Sequence, residues 1–208
     1  LEPLGSRPIA ETATWETLFM SLDRQSLRQS LRAKRKQLSD TEQQTAAIKL
    51  LEHFQSALAS SLSSESNLAL YLTNDGEISP EAICEWCWQN NINVYLPVLD
   101  GKALVFARYT QNCEWQKNSF NILEPVDPAP LKGADMDMVL MPLVGFDDQG
   151  GRLGMGGGFY DRTFENKAER THLIGLAHDC QEVDNLPIES WDVPLSGMLT
   201  PSRYIKCE

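Results

Sequence analysis

The sequence predicts an α/β layered domain built on a mostly parallel sheet. Three observations lead there: short continuous apolar runs of strand length, amphipathic helical stretches alternating with them, and no internal repeat or linker long enough to split the chain. Of the 208 residues, 42% are hydrophobic and 23% charged, near the soluble average, which disfavours a disordered chain and a membrane protein alike. No stretch approaches the roughly 18 uninterrupted apolar residues of a spanning helix. A formal net charge of −11 argues against a nonspecific nucleic-acid binder, yet leaves room for a local basic site that takes a phosphate ligand.

Cys84, Cys87, Cys113, Cys180 and Cys207 are an odd count in a chain with enough core to fold without staples, which fits a reducing compartment and a cytoplasmic protein. Residues 1–19 lack the basic and apolar regions of a signal peptide and read as a poorly ordered extension. Met20, ahead of a strong helix signal, reads as a natural start, with 20–208 as a single domain.

The elements follow in order. From Leu22 to about Leu38, Leu27, Leu31 and Leu38 recur at helical spacing without Gly or Pro. Ser39 stands three residues before Glu42, a capping box that starts a second helix through Ala46, Ile48, Leu50, Leu51, Phe54 and Leu58. The run 68–72 reads as a buried strand ending in the turn composition Thr73-Asn74-Asp75-Gly76-Glu77. Ser79-Pro80-Glu81 opens a third helix. Ile92–Leu99 and Leu104–Tyr109 read as strands joined by an Asp100-Gly101 hairpin, and 110–135 as irregular. Met138–Phe146 is the strongest strand, followed by a glycine-rich loop, a helix from about Gly158 to Lys167, and a strand over 173–177.

Three constellations carry candidate chemistry. In Gly150-Gly151-Arg152-Leu153-Gly154-Met155-Gly156-Gly157-Gly158-Phe159-Tyr160-Asp161, six glycines fall in nine positions between a strand and a helix, so backbone N–H groups can approach an anion. It is not a Walker loop, since no Gly-Lys-Ser/Thr follows, and Phe159 stands where a dinucleotide fingerprint needs its third glycine. The second is a basic row, Arg24, Arg28, Arg32 and Lys36, stepping by four in an otherwise acidic chain, with Lys34 and Arg35 beside it. An anionic partner and a solvated face both account for such a row. The third is a pair of acidic turns carrying Glu77 and Asp192; Glu77 belongs at the carboxyl end of a strand, where open α/β sheets collect ligands. Cys84-Glu85-Trp86-Cys87 has metal or redox spacing but no second pair, and reads as ordinary helix cysteines. His53, His172 and His178 are scattered, with no nucleophile motif around them.

Met141-Pro142-Leu143-Val144-Gly145-Phe146-Asp147 followed by the loop through Asp161 resembles the 5-formyltetrahydrofolate cyclo-ligase family. Arg24-Gln25-Ser26-Leu27-Arg28 and the Tyr71-Leu72…Glu77 turn match in the right order, and the resemblance covers about 22–206. It implies a three-layer α/β/α fold like that of sugar-phosphate isomerases and CoA transferases. It also implies conversion of 5-formyltetrahydrofolate and ATP, with Mg²⁺, to 5,10-methenyltetrahydrofolate, ADP and phosphate. Carried over by position, Arg24, Gln25, Ser26, Leu27, Arg28 and the stretch Arg152, Leu153, Gly154, Met155, Gly156, Gly157, Gly158, Phe159 and Tyr160 correspond to nucleotide contacts, with Arg152 and Tyr160 as the catalytic pair. Arg28, Leu72, Glu77 and residues 155–159 correspond to folate contacts, and Asp161 and Asp192 to the Mg²⁺ ligands. Some relatives carry Lys in place of Arg24, and others a basic residue where this chain has Met155 and Gly157. Phosphate charge here therefore falls to backbone N–H groups, Arg152 and the metal.

The implied partners are reduced folate and ATP, bound by a monomer, with neither nucleic acid nor membrane. A sugar-phosphate isomerase or CoA transferase-like enzyme, which has no use for ATP, and a non-catalytic nucleotide or folate binder are the alternatives.

Overall fold

Along the central strands, successive apolar side chains point to opposite faces, and helices cover both. The computed structural model describes residues 15–119 and 121–207. Its helices are α1 (Trp15–Lys36), α2 (Asp40–Ala57), α3 (Glu81–Gln89) and α4 (Phe159–Phe164). Its strands are β1 (Asn67–Ala69), β2 (Asn93–Asp100), β3 (Ala103–Arg108), β4 (Trp115–Lys117), β5 (Leu123–Pro125), β6 (Met138–Pro142), β7 (Gly145–Phe146), β8 (Arg152–Leu153), β9 (His172–Leu176), β10 (Gly197–Leu199) and β11 (Tyr204–Lys206).

Seven strands form one sheet in the order β11-β10-β9-β6-β1-β2-β3. The five in the middle run parallel, and the antiparallel strands β3 and β11 close the two edges. From β1 the chain crosses through α3 to β2, and it later returns to β6 on the other side of β1. That reversal opens a crevice at the carboxyl ends of β1 and β6, where ligands of such sheets collect.

One face carries Leu68, Leu70, Val94, Leu96, Met138 and Leu140 against Leu50 and Phe54 of α2 and Ile83, Cys84 and Cys87 of α3. The other carries Ala69, Tyr95, Val139 and Met141 against Phe146 and α4's Phe164. These are the three layers that the family resemblance implies. Burial on both faces is why the strands read as unbroken apolar runs rather than as alternating ones.

The Ser39–Glu42 capping box forms as its spacing predicts: Ser39 Oγ accepts from Glu42 N, and Glu42 Oε2 accepts from Ser39 N at 2.8 Å. Ile48, predicted on the apolar face of α2, is 60% exposed, because it lies two residues off the buried row Ala46, Leu50 and Phe54. The expected extension 1–19 lies outside the described residues for 1–14, and the backbone is helical from Trp15, ahead of the predicted start at Leu22.

Three expectations are corrected. The strand read over 138–146 is two: β6 ends at Pro142, and β7 leaves the sheet to pair with β8. Proline has no N–H to continue a ladder, which fits its place at that end. Residues 110–135 are not wholly irregular, since β4 and β5 pair as a hairpin. Its Trp115 and Leu123 are 41% and 48% exposed, and what β5 buries is Glu124 and Pro125, so no apolar stripe betrays it in the sequence. The helix read over 158–167 ends at Phe164.

A Cβ on Gly175, in the middle of β9, would collide with Met198 Sδ and lie 2.6 Å from Leu143 Cδ2 and 2.8 Å from Leu195 Cδ1. Gly175→Ala is expected to cost about 1–3 kcal/mol through overpacking. The cost should appear as a lower urea midpoint at unchanged slope, and an unmoved midpoint would show that this layer has slack.

Candidate active site

Helix α1 lies against the segments that follow the carboxyl ends of β1 and β6, and a buried guanidinium fixes it there. Arg35 is 0% exposed. Its Nη1 donates to Leu143 O at 2.9 Å, its Nε to Asp75 O at 2.9 Å and its Nη2 to Asp75 Oδ2 at 3.0 Å, with Glu77 Oε1 at 3.7 Å. Arg32 holds the same Asp75 carboxylate in a two-pronged pair at 2.6 and 3.1 Å, and Lys36 joins it. These cations, Arg32 foremost, hold the Asp75 carboxyl well below its ordinary value. His178, which the sequence set aside, is packed behind Arg35. Burial and the Arg35 charge lower its imidazole to about 4, so it adds no further cation to the cluster at neutral pH.

With Arg35 pinned, the helix presents Arg24, Arg28 and Leu31 on the same side. Arg24 forms a two-pronged pair with Asp192, at 2.7 and 3.3 Å, and also donates to Pro187 O. Arg28 Nε donates to Gly154 O at 2.8 Å. No carboxylate pairs with Arg28 among the described residues, and burial and the Arg24 charge lower its pKa.

The basic row of the sequence thus divides. A strict step of four drifts about 40° per step around a helix of 3.6 residues per turn. Arg24 and Arg28 therefore reach the glycine loop and its neighbours, whereas Arg32 and Lys36 have turned to Asp75. Each of the four has a carboxylate or carbonyl partner, so the row is not a solvated face.

The glycine run divides as well. Gly150 and Gly151 belong to the turn between β7 and β8, closed by Asp147 Oδ1, which accepts from Gly151 N at 2.8 Å and Gln149 N at 3.1 Å. Residues 154–158 line the cavity. Gly158, at φ +64°, caps α4 with Arg162 Nη1 only 2.6 Å from where a Cβ would stand. A Cβ on Gly156 would meet the Arg28 guanidinium carbon at 3.7 Å, a measure of how closely helix and loop approach. Because α4 has six residues, any attraction for an anion rests on loop amides and arginines rather than on a long helix dipole.

Between these parts lies a cavity of about 1350 Å³. That exceeds the roughly 300–1,000 Å³ typical of a single-ligand pocket, which leaves volume for more than one small molecule. Arg24, Arg28, Glu77, Arg152, Tyr160, Asp161 and Asp192 all line it. Gln25 and Ser26 face solvent on α1, Leu27 is half-buried, Leu153 is buried beneath the loop, and Leu72 is 42% exposed; none of these five forms part of the cavity wall. A helix repeat explains the first three, since only every third or fourth residue shares the face of Arg24 and Arg28.

Burial pushes the Glu77 carboxyl up, and burial with the nearby Glu77 charge pushes up the Tyr160 and Tyr71 phenols. Sequence reasoning placed Arg35 in the basic cluster without its role as a buried anchor, and missed the apolar wall of Pro97, Leu99, Leu104 and Ile122, supplied by elements distant in the chain. The Cys84-Cys87 pair has no part in the site: both thiols are buried in the core and pushed up to about 12.

The donor set admits Mg²⁺ only in company. No group of three His, Cys, Asp or Glu able to hold a metal occurs among the described residues. Asp161 Oδ1 accepts from Arg152 and from Val193 N at 3.1 Å, while its Oδ2 has no partner among them. Asp192 shares its oxygens with Arg24 and Glu189 N. One or two carboxylates with phosphate and water oxygens is the usual Mg²⁺ environment, so these residues fit a metal that arrives with a nucleotide.

Residues 20–201 match the model of the 5-formyltetrahydrofolate cyclo-ligase family. The chain belongs to that family. It is 41% identical over 184 residues to the 5-formyltetrahydrofolate cyclo-ligase of Haemophilus influenzae, covering 85% of this chain and 96% of that one. To the Escherichia coli K12 protein of the same name it is 43% identical over 144 residues, covering 65% and 78%. The solved 5,10-methenyltetrahydrofolate synthetase of Aquifex aeolicus superposes with a TM-score of 0.76 at 26% identity, over 88% of this chain and 92% of that one. The Mycoplasma pneumoniae synthetase superposes at 0.70 with 25% identity, over 86% and 99%. Membership makes the chain a ligase, which sets aside the isomerase and CoA transferase alternatives. No described helix is long and apolar enough to cross a membrane.

Removing one partner of a buried ion pair costs about 3–5 kcal/mol. Asp75→Asn is therefore expected to lower stability at pH 7, and by less near pH 3. The sign follows from the depressed folded value: the carboxylate's contribution is complete above the ordinary carboxylate range and fades as acid carries the pH down toward the lower folded value. Urea melts of both proteins at the two pH values measure this, and an equal gap at both would contradict it.

Proposed function

We propose that this chain is a monomeric, cytoplasmic enzyme that converts 5-formyltetrahydrofolate to 5,10-methenyltetrahydrofolate while cleaving ATP to ADP and phosphate. The observation that carries the reading is the apposition of Arg28 to the 154–158 loop on the wall of a two-substrate cavity, in a member of the cyclo-ligase family.

A formamide carbonyl is a poor electrophile, and its oxygen leaves badly as hydroxide. In this mechanism the formyl oxygen attacks the γ-phosphorus of ATP, the bond to the bridging oxygen breaks, and ADP departs. The iminium phosphate so formed has a good leaving group. N10 adds to its carbon, the C–O bond breaks, and phosphate leaves with the N10 proton.

Phosphoryl transfer asks the protein for positioning and charge neutralisation more than for covalent help. Arg28 and the amides of the loop hold the phosphate chain, with Arg24 adding charge from beside Asp192. Arg152, fixed by Asp161, faces the transferring group. The Tyr160 phenol, pushed up by burial, stays a neutral hydrogen-bond donor at working pH. Glu77 and the loop hold the reduced pterin. Mg²⁺ carried by the nucleotide, held by Asp161 and Asp192, would neutralise phosphate charge.

Protein, Mg·ATP and 5-formyltetrahydrofolate are expected to generate the methenyl chromophore only when ATP is present. Tight binding of both ligands without turnover would instead mark a non-catalytic binder. Arg28→Ala should raise the KM for ATP about 10- to 100-fold, the loss of a charge-assisted contact, and more steeply at low salt. An unmoved KM removes Arg28 from the phosphate site. Asp161→Asn should lower kcat by about two orders of magnitude in protein that still folds, with a lowered melting temperature because buried Arg152 loses its partner, and near-normal turnover would remove Asp161 from the metal site.

A further inference from the structure

One carboxylate on the cavity wall is buried without a counter-ion. Glu124, on β5, is 5% exposed and forms part of the lining. Its Oε1 accepts from Leu99 N at 3.0 Å and from Asn118 Nδ2 at 2.8 Å. Two neutral donors fix the orientation of the group but leave its charge unmatched, and no Lys, Arg or His pairs with it among the described residues. Taking a carboxylate out of water is costly unless it is paired and fully hydrogen-bonded.

Its second oxygen, Oε2, has no donor among the described residues. It is not sealed either: His178 Nε2 is the single buried side-chain polar atom left unpaired among them. Oε2 therefore keeps access to the cavity. Around it stand Pro97, Leu99, Leu104 and Ile122, a mostly apolar surface suited to the faces of a flat ring. A carboxylate offers about four acceptor sites, of which two are taken. The remaining two suit a ligand edge that presents two neighbouring N–H donors.

We propose that Glu124 is a specificity-determining residue that accepts N–H donors from the aminopyrimidine edge of the reduced folate. The inference rests on the folate reading of the cavity given above and deepens it. The pterin edge carries a ring N–H beside an exocyclic amino group, donor next to donor. The adenine of ATP carries its amino group beside a ring acceptor, which would face the carboxylate with a lone pair. The pterin therefore takes this wall, which leaves Glu77 the N–H of its reduced ring, and the two carboxylates grip it from two edges.

Glu124→Gln tests this, because the amide oxygen can still accept from Leu99 N while the new NH₂ confronts the ligand's own donors. Calorimetry on the full chain is expected to show 5-formyltetrahydrofolate binding weakened about 10- to 100-fold, with binding of a non-hydrolysable ATP analogue and the melting temperature unchanged. A folate in which methyl replaces the 2-amino group should bind the wild type more weakly by a similar factor, and should lose little further on the variant. Four results overturn the proposal: unchanged folate binding, a loss confined to the nucleotide, a parallel loss of both ligands with a lowered melting temperature, or full additivity between the variant and the methyl analogue. A wild type that neither binds nor converts 5-formyltetrahydrofolate would sink the folate reading itself, whereas wild-type turnover beside an unaffected variant sinks this inference alone.

Discussion

A single buried guanidinium determines where the amino-terminal helix can lie. Arg35 spends its donors on the Leu143 carbonyl after β6, and on the carbonyl and carboxylate of Asp75 in the turn after β1. Those are the two strand ends that flank the reversal of the sheet. Burying such a charge is tolerable only with this degree of pairing. Any rotation or slide of α1 would strand it. The constraint is local, but its effect reaches along the helix: Arg28, two turns away, is delivered to Gly154 O, and Arg24, one turn further, to Asp192. The positive wall of the cavity is thus a consequence of packing at the far end of the same helix.

This arrangement reconciles an acidic chain with the phosphate site proposed for it. The surplus negative charge is spread over the whole sequence, while the arginines that line the cavity are Arg24 and Arg28 on α1, Arg152 on β8 and Arg162 on α4. Arg24 and Arg152 are held by a carboxylate, so their geometry is set before a ligand arrives. Arg28, whose hydrogen-bond partner among the described residues is a carbonyl, keeps more of its charge for one. Asp161 and Asp192 position arginines and remain within the cavity wall, where one oxygen of Asp161 has no partner among the described residues.

Much of the fold was legible because local and global signals agree. The capping box at Ser39, the turn at Asp100-Gly101 and the apolar runs read over 68–72, 92–99 and 173–177 each place their element by short-range physics, although β1 itself ends at Ala69. What stayed hidden depends on long-range partners. The stretch 138–146 is uniformly apolar, so nothing local marks the point where Gly145 and Phe146 exchange the main sheet for β8. The β4–β5 hairpin lacks an apolar buried stripe and is tied to its surroundings by Glu124, which accepts from Leu99 N, and by the Trp115–Tyr109 ring contact.

The site divides in the same manner. The glycine loop, Arg28, Glu77 and Asp161 stand out by composition and by position after a strand. Arg35 does not: in the sequence it is the middle residue of Lys34-Arg35-Lys36, and only burial separates it from its exposed neighbours. Glu124 is one acidic residue among many until β2 and Asn118 are seen to fix one of its oxygens. The most direct test is a crystal structure with 5-formyltetrahydrofolate, Mg²⁺ and a non-hydrolysable ATP analogue. The account predicts the phosphate chain between Arg28 and the amides of 154–158, with the formyl oxygen facing the γ-phosphorus and α1 still docked through Arg35. Phosphates bound elsewhere, with Arg28 unengaged, would contradict it.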